Sequence, residues 1–201
     1  MLGNLVHPEM VLQTLHGRII GVVGDYYDLS MELKYAEPSK ISFKVPAYDN
    51  GIKSMWYDEL QSFRVVQIDP FGLFVLEEPD VSGDGTEEIK EISASSLEIM
   101  LSNRRIVLQE GTYQLYRTDD MASETPTTIL GVAHKAAPDW TFVVDGSLWN
   151  RYRTFEETNE SLLDWLSGKA SKVFGCIFCF DSYTKTIRVI DADRDYDILP
   201  I

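Results

Sequence analysis

Short apolar runs separated by turn-forming residues fill the first half of the chain, the pattern expected of antiparallel β structure. The pattern predicts six strands, at Gly17–Val23, Tyr27–Tyr35, Ile41–Val45, Phe63–Pro70, Gly72–Glu78 and Glu87–Ala94. Between two of them, the segment Asp69-Pro70-Phe71-Gly72 supplies the proline and the glycine that favour a tight turn.

Alternation of apolar and polar residues is clearest in the second predicted strand. Apolar side chains occupy every second position from Leu29 to Tyr35, and polar side chains occupy positions 30, 32 and 34. Because successive side chains of a strand point to opposite faces, this segment is predicted to lie in a sheet with one buried face and one wet face.

The second half of the chain mixes helices with strands. After a short helix at Leu97–Leu101, the segment Gly111–Arg117 is predicted to be a strand with Thr112, Gln114 and Tyr116 on one face. Further on, Thr125-Pro126 places a capping residue before a proline, which predicts a helix that runs to about His134.

The clearest helix is predicted at 159–172, with Asn159 as its cap and leucines recurring at three- and four-residue spacing. A β-hairpin at 173–191 is predicted to follow it. The first strand of this hairpin carries apolar side chains at every second position from Phe174 to Phe180, and Asp181–Lys185 forms the turn.

These elements predict an α+β fold that is mainly β, organised as two domains. A β-rich domain is predicted at 1–105, and a smaller mixed α/β domain is predicted at 106–201, ending in the helix and the hairpin. The boundary is placed near Ser102–Gly111, where strand-rich sequence gives way to mixed sequence.

Length and hydropathy limit the classes of protein to which the chain can belong. The chain has 201 residues and 44% hydrophobic residues, enough for a substantial core. It has no stretch approaching the roughly 18 consecutive apolar residues of a membrane helix. Met1–Met10 contains no Lys or Arg, so it lacks the basic start of a signal peptide, and synthesis in a cytoplasm is expected.

The chain is strongly acidic, with 32 Asp and Glu against 18 Lys and Arg and a formal net charge of −14. Nucleic-acid binding depends on basic side chains that neutralise phosphates, so specific binding of DNA is not expected. Two interpretations remain open: the charge keeps a subunit soluble before assembly, or it lines a channel that must repel DNA.

Two cysteines and two acidic segments are candidates for metal or redox chemistry. Cys176 and Cys179 have CxxC spacing, but a structural zinc site needs four ligands and no second pair exists, which favours two buried free thiols. Asp80–Glu88 lacks the ligand spacing of an EF-hand and is predicted to be a solvated hairpin loop. The alternating acids of Asp191–Asp197 are predicted to form a solvated terminal segment, with a cation site as the alternative.

Motifs of the common enzyme classes are absent from the sequence. There is no GxSxG elbow, no GxxxxGK[ST] or GxGxxG phosphate loop and no HExxH zinc motif. No catalytic, cofactor-binding or metal-binding residue is therefore assigned, and a non-enzymatic role is predicted. Among the aromatic residues, Trp56, Tyr57 and Trp149 are candidates for subunit contacts or sugar stacking, with core packing as the alternative.

Four local patterns, taken in order, resemble the N-terminal region of phage minor structural proteins, the tail-tip hub or tail-associated proteins of long-tailed phages. They cover most of residues 10–191, and they are Tyr27–Leu33 followed by Trp56; Gly72–Leu76 with Lys90–Glu98; Ile129–Gly131 followed by Trp140 and Asp145-Gly146; and the helix and hairpin within Phe155–Asp191.

This resemblance implies a barrel-like antiparallel tube domain in a trimer that joins the tail tube and passes DNA outward. Members of the family usually continue into a second tube domain, whereas this sequence ends at Ile201, so a fragment or a split or reduced hub is expected.

The resemblance therefore implies a structural component of a phage tail tip or baseplate hub. Its predicted partners are copies of itself, tail-tube and distal-tail proteins, and DNA that passes without specific binding; no cofactor and no membrane span are expected. The predicted location is the virion tail tip, after synthesis in the bacterial cytoplasm. The alternatives are a carbohydrate-binding module for attachment to host cell walls and, third, a cell-wall hydrolase.

Overall fold

The computed structural model describes residues 8–83 and 88–193. Strands make up 44% of the structure and helices 20%, which confirms the predicted α+β, mainly β fold class. The chain divides into two compact units of similar length: unit 1 comprises residues 1–34 and 38–97, and unit 2 comprises residues 35–37 and 98–201.

Unit 1 is built on a curled, half-barrel antiparallel sheet. Its strands are β1 Met10–Thr14, β2 Ile19–Val23, β3 Tyr27–Glu32, β4 Lys40–Pro46, β5 Tyr48–Asp49, β6 Ile52–Lys53, β7 Arg64–Ile68, β8 Gly72–Leu76, β9 Asp80–Ser82 and β10 Ile89–Ser96. Within the described residues the sheet order is β2-β1-β7-β8-β10-β4-β3, with β9 paired to β10, while β5 and β6 form a separate small hairpin.

The curl of this sheet follows from its connectivity. β2 and β3 lie at opposite ends of the sheet order, yet only Gly24–Tyr26 separates them along the chain. A flat sheet of seven strands would hold its edges roughly 29 Å apart at about 4.8 Å per strand. The link from Val23 to Tyr27 reaches at most about 14 Å, so the sheet must curl until the two edges approach each other.

Alternating side chains fill the interior of the half-barrel. On β4, Ile41, Phe43 and Val45 are buried while the residues between them face outward, as the period-two pattern predicts. Other strands contribute fully buried side chains such as Phe74 and Ile92 to the same core.

The second predicted strand is shorter than the pattern indicates. β3 ends at Glu32, and Leu33 and Tyr35, predicted to share a buried face with Leu29, are instead exposed. The chain leaves the sheet here because the Ser39 side chain closes a turn: Lys34 N–H donates to Ser39 Oγ at 2.9 Å, and the same hydroxyl donates to the Lys34 carbonyl at 3.3 Å.

Unit 2 combines small sheets with helices. Its strands are β11 Arg105–Leu108, β12 Gly111–Gln114, β13 Thr141–Val144, β14 Tyr152–Phe155, β15 Thr158–Ser161, β16 Cys176–Asp181 and β17 Thr186–Asp191. Its helices are α1 Ile129–Ala136, α2 Leu162–Asp164 and α3 Ser171–Phe174, and a π-helical segment, Trp165–Ala170, joins the last two. A 3₁₀ helix, Leu97–Asn103, lies at the sequence boundary of the two units.

Three groups of paired strands are found among the described residues of unit 2. β11 pairs with β15 and β12 pairs with β14, both antiparallel. β16 and β17 form the predicted antiparallel hairpin, and β13 adds to β17 in parallel. The core around them includes the fully buried Trp165, Phe174 and Phe178.

Both predicted helix caps are wrong by a few residues. Thr128, not Thr125, caps α1 by accepting from Gly131 N–H, because the Asp120 carboxylate ties down the preceding turn. Ser161 caps α2 by accepting from Asp164 N–H. The predicted cap, Asn159, is instead a strand residue, since the pairing of β11 with β15 continues through Ser161.

Candidate functional site

The most exposed apolar edge of the unit 1 sheet is β2. In the described structure this strand pairs only with β1, so one side of its backbone is left without a strand partner. Ile19 and Val22 are 67% and 50% exposed, and Ile19–Val23 contains no charged residue or proline. Natural sheets usually protect edges with charges or proline, so an edge of this kind favours pairing with another strand.

The opposite edge, β3, has a different character. Asp28 has a left-handed backbone with φ 53°, and the register with β4 is interrupted between Tyr27 and Ser30. Asp28 and Glu32 place carboxylates on this strand, and Lys44 of β4 lies 3.5 Å from the Asp28 carboxylate. The two edges of the half-barrel therefore differ: β2 is apolar and β3 is charged.

Trp56 and Tyr57, two of the candidates for sugar stacking named from the sequence, do not present freely exposed rings on which a sugar could stack. The Trp56 indole packs on the backbone of Gly21 and is only partly exposed, and Tyr57 is 4% exposed. The Tyr57 hydroxyl donates to Glu88 Oε1 at 2.7 Å, and burial together with Glu88 raises the pKa of Tyr57. Both aromatic residues therefore belong to the packing of unit 1.

Lys90 fixes the 3₁₀ turn that carries Tyr57. Its ammonium group donates to the carbonyl oxygens of Tyr57 at 2.6 Å and of Leu60 at 3.1 Å, and it lies 4.4 Å from the centre of the Tyr57 ring. Burial lowers the pKa of Lys90, while the nearby carboxylates of Asp58 and Glu88 act in the opposite direction. This lysine therefore stabilises the turn and does not serve as a binding group for phosphate.

A second exposed surface lies on unit 2, where β12 and β14 form a ribbon. We call it the ribbon face, and its members are Thr112, Gln114, Tyr116, Trp149, Tyr152 and Thr154. Strand pairing sets Thr112 opposite Thr154 and Gln114 opposite Tyr152. At the end of the ribbon the rings of Tyr116 and Trp149 lie 5.6 Å apart. Of the three stacking candidates named from the sequence, Trp149 alone is well exposed, at 44%.

The CxxC pair has the geometry of two separate free thiols. Cys176 points into the core of unit 2 and Cys179 lies on the opposite face of β16. Burial raises the pKa of Cys176 to about 12 and also raises that of Cys179. Because the thiolate is the nucleophile and the metal ligand, neither thiol is prepared for such chemistry.

Some of the acidic candidates lie in the part of the chain that the structure describes, and others lie outside it. Asp191 is buried, and its carboxylate accepts hydrogen bonds from Ser147 and from Arg151. This carboxylate therefore has a structural role. Residues 194–197 of the predicted acidic tail and 84–87 of the predicted loop lie outside the described residues. Over 8–83 and 88–193, no group of three or more acidic, His or Cys side chains is placed to hold a metal ion.

A shallow pocket lies on the outer face of the unit 1 sheet. It has a volume of about 250 Å³, and its lining includes Ser30, Ser42 and Ser93 together with Glu32 and Glu77. Both of these carboxylates are exposed, and the Glu77 carboxylate accepts a hydrogen bond from a neighbouring serine, Ser95. Nothing in this arrangement assigns a catalytic role to either acid.

No helix in the described part of the chain is long and apolar enough to cross a membrane. No protein-family model matches the sequence, and no curated protein sequence matches it.

Solved structures, by contrast, match nearly the whole chain. The prophage tail protein gp18 from Listeria monocytogenes superposes with a TM-score of 0.65 at 12% identity, covering 91% of this chain and 50% of that protein. The 43 kDa tail protein of prophage MuSo2 from Shewanella oneidensis gives 0.54 at 14% identity, covering 94% of this chain and 54% of that protein.

The chain thus spans about half the length of each of these tail proteins. At such low identity the match establishes the fold alone. The resemblance inferred from the order of sequence patterns is confirmed at this level, and the chain has a fold found in phage tail proteins.

Proposed function

We propose that this chain is a structural component of a phage tail tip or baseplate hub, and that it acts by assembling with copies of itself and with other tail proteins. The observation that carries the proposal is the match in fold to prophage tail gp18 over 91% of the chain. A fold can host several functions, so the structural role also draws on the surfaces of unit 1.

The apolar β2 edge of the half-barrel supports assembly. One side of its backbone has no strand partner in the described structure, so it can pair with a different surface of the next copy. Contacts between two different surfaces form a closed ring when the rotation between subunits closes. A trimer, the state implied by the resemblance, would be such a ring.

The net charge of the chain is compatible with a role in a channel through which DNA passes. A formal net charge of −14 gives phosphates no general attraction, and a lining that bound phosphate would hold the genome back. DNA would therefore pass without specific binding. The same charge keeps free subunits apart from one another and from nucleic acid before assembly.

Partners and location follow from this role. The subunit would join the tail tube and distal-tail proteins at the virion tail tip, after synthesis in the cytoplasm of the bacterial host. It would turn over no substrate and need no cofactor, consistent with the structural use of Lys90, Asp191 and the thiols.

Co-expression tests this proposal directly. The chain, tagged at one end, is produced together with the proteins encoded by the reading frames that flank its gene, and complexes are purified and identified by mass spectrometry. Immunogold labelling of assembled particles then gives the location. Co-purification with a tail-tube or distal-tail protein and gold at the tail tip support the proposal, whereas label on the capsid or no complex with any tail protein contradicts it.

A further inference from the structure

The ribbon face of unit 2 combines exposed aromatic rings with uncharged polar side chains. Its six residues are three aromatic side chains, two threonines and one glutamine, none of them charged, in a chain of which 25% is charged. Tyr152 is 55% exposed and Trp149 is 44% exposed, so much of two large rings faces solvent. We propose that the ribbon face binds a short neutral oligosaccharide, independently of the assembly of unit 1.

The rings are held in place by bonds within unit 2. The Trp149 indole N–H donates to the Val144 carbonyl at 3.2 Å, and the Trp149 carbonyl accepts from the Gln114 side chain at 2.7 Å. The Tyr116 ring lies against the indole at an interplanar angle of 57°. A ligand that stacks on such a prepared ring orders few side chains on binding, which keeps the entropic cost low.

The ribbon face offers hydrogen-bonding groups and stacking rings next to one another. Thr112 and Gln114 lie two residues apart on β12, about 7 Å at the rise of a β-strand, and the ring pair of Tyr116 and Trp149 lies beyond the end of the strand. A hydroxyl pair, an amide beside a ring, and a ring pair therefore follow one another along the ribbon face. Sugars present the same two kinds of surface, apolar C–H faces that stack on rings and hydroxyls that donate and accept hydrogen bonds.

Threonine hydroxyls supply the polar part of the recognition. Thr112 Oγ1 and Thr154 Oγ1 lie 2.9 Å apart and share one hydrogen bond. A hydroxyl has one proton and two acceptor lone pairs, so the pair can still accept from the hydroxyls of a ligand.

The charge of the chain selects the class of ligand. A net charge of −14 repels nucleic acids and other polyanions, whereas a neutral glycan meets no such repulsion at an uncharged surface. Tyr and Trp are also enriched in protein interfaces, so a protein partner is the alternative that the experiment below distinguishes by oligomeric mass. The absence of charge on the ribbon face favours a neutral ligand over a polyanion.

Affinity electrophoresis of the full chain tests the proposal. Native gels are cast with glycol chitin, hydroxyethylcellulose or dextran, three soluble neutral polysaccharides, and migration is compared with that in a plain gel. We expect retardation by at least one of them. Trp149→Ala and Tyr152→Ala should each weaken binding about tenfold or more, as for the loss of a dominant contact residue.

Two further variants separate binding from folding. Tyr183→Ala removes another exposed aromatic side chain of unit 2, 39% exposed and away from the ribbon face, and should be retarded like the unaltered chain. Trp149→Phe keeps a stacking ring and should recover much of the binding lost in Trp149→Ala. Circular dichroism verifies that each variant is folded.

Three results would overturn the proposal. The first is no retardation by any of the polysaccharides, and the second is retardation that folded Trp149→Ala and Tyr152→Ala retain in full. The third is a change of oligomeric mass in Trp149→Ala without any polysaccharide binding, which would make the ribbon face a protein interface.

Discussion

The Trp56 indole occupies the space that a side chain at position 21 would need. A Cβ built on Gly21 would lie 2.2 Å from Trp56 Cε2, far inside contact distance. The close approach sets the ring over the apolar edge strand β2, and Trp56 itself takes a left-handed backbone conformation with φ 67°. The absence of a side chain at Gly21 is thus part of how the half-barrel is packed at its edge.

Gly21→Ala should therefore destabilise the protein. The rigid indole would have to move, and such overpacking costs about 1–3 kcal/mol. Urea unfolding followed by fluorescence measures the change in free energy of unfolding. Gly24→Ala is the matched control, because a Cβ there meets nothing within 4 Å, and equal stability of the two variants would contradict the packing described.

Lys90→Met should loosen the turn that carries Tyr57. The substitution keeps most of the aliphatic stem but leaves the carbonyls of Tyr57 and Leu60 without their ammonium donor. Loss of such bonds in a partly buried place costs about 1–3 kcal/mol, measured by thermal or urea unfolding. Lys44→Met, on the outer face of β4, should change stability by less than about 0.5 kcal/mol, and a similar loss in both variants would count against a special role for Lys90.

Asp120→Asn should reduce stability in a pH-dependent way. Burial alone would raise the pKa of Asp120, but hydrogen bonds from Thr128 and Thr127 outweigh it and lower the pKa below its ordinary value. A carboxylate with a lowered folded-state pKa stabilises the fold above its unfolded pKa of about 3.9, and this stabilisation is lost as the pH falls through the folded pKa.

Urea unfolding of both proteins between about pH 7 and pH 2 tests this. Asp120→Asn should be less stable by about 1–3 kcal/mol at neutral pH, and the difference should shrink below about pH 4. The exposed neighbour Asp119 offers a control for the loss at neutral pH, since it forms only a surface ion pair with Arg117 and Asp119→Asn should change stability by less than about 1 kcal/mol. A constant difference across the range would show that Asp120 acts through shape and not through charge.

Cys176 should be unreactive in the folded protein. With its pKa raised to about 12, roughly one thiol in ten thousand is ionised at pH 8, and the thiolate is the reactive form. In a Cys179→Ser variant, Ellman's reagent should label Cys176 only as fast as the protein unfolds. Rapid labelling of that variant without urea would contradict the burial of Cys176 and reopen a redox function for the pair.

Local patterns in the sequence predicted the elements that depend on neighbours along the chain. The alternation in β4 placed Ile41, Phe43 and Val45 in the core, and the spacing from Phe174 onward predicted the β16–β17 hairpin. In both cases the chain repeats one simple period over several residues, so no distant contact is needed to recognise the element.

Features that depend on distant parts of the chain were not predicted. β13 pairs in parallel with β17, more than forty residues away, and nothing within Thr141–Val144 signals that partner. The cap of α1 shifts to Thr128 because Asp120 is buried beneath it, a contact that cap preference alone does not reveal.

Only part of the ribbon face could be predicted from the sequence. Trp149 could be named as an exposed aromatic candidate, but Tyr152 joins it only through the pairing of β12 with β14. Trp56 and Tyr57 carried the same aromatic signal, and packing in unit 1 uses them. Residue type therefore identified the candidate aromatic residues, and only the tertiary structure showed which of them are exposed.

Val22→Lys should weaken assembly without unfolding unit 1. It places a charge on the exposed apolar edge of β2, a device that natural sheets use to prevent edge pairing. Val107→Lys is the matched control, since Val107 is exposed to a similar degree, 55% against 50%, but lies on β11 of unit 2.

The oligomeric mass of the purified chain, measured by light scattering after size exclusion over a range of concentrations, tests the central claim most directly. We expect a mass of three times the 22.9 kDa chain, which falls towards a single chain in folded Val22→Lys and stays unchanged in Val107→Lys. A monomer at every concentration, or an oligomer that Val22→Lys leaves intact, would contradict assembly through the β2 edge.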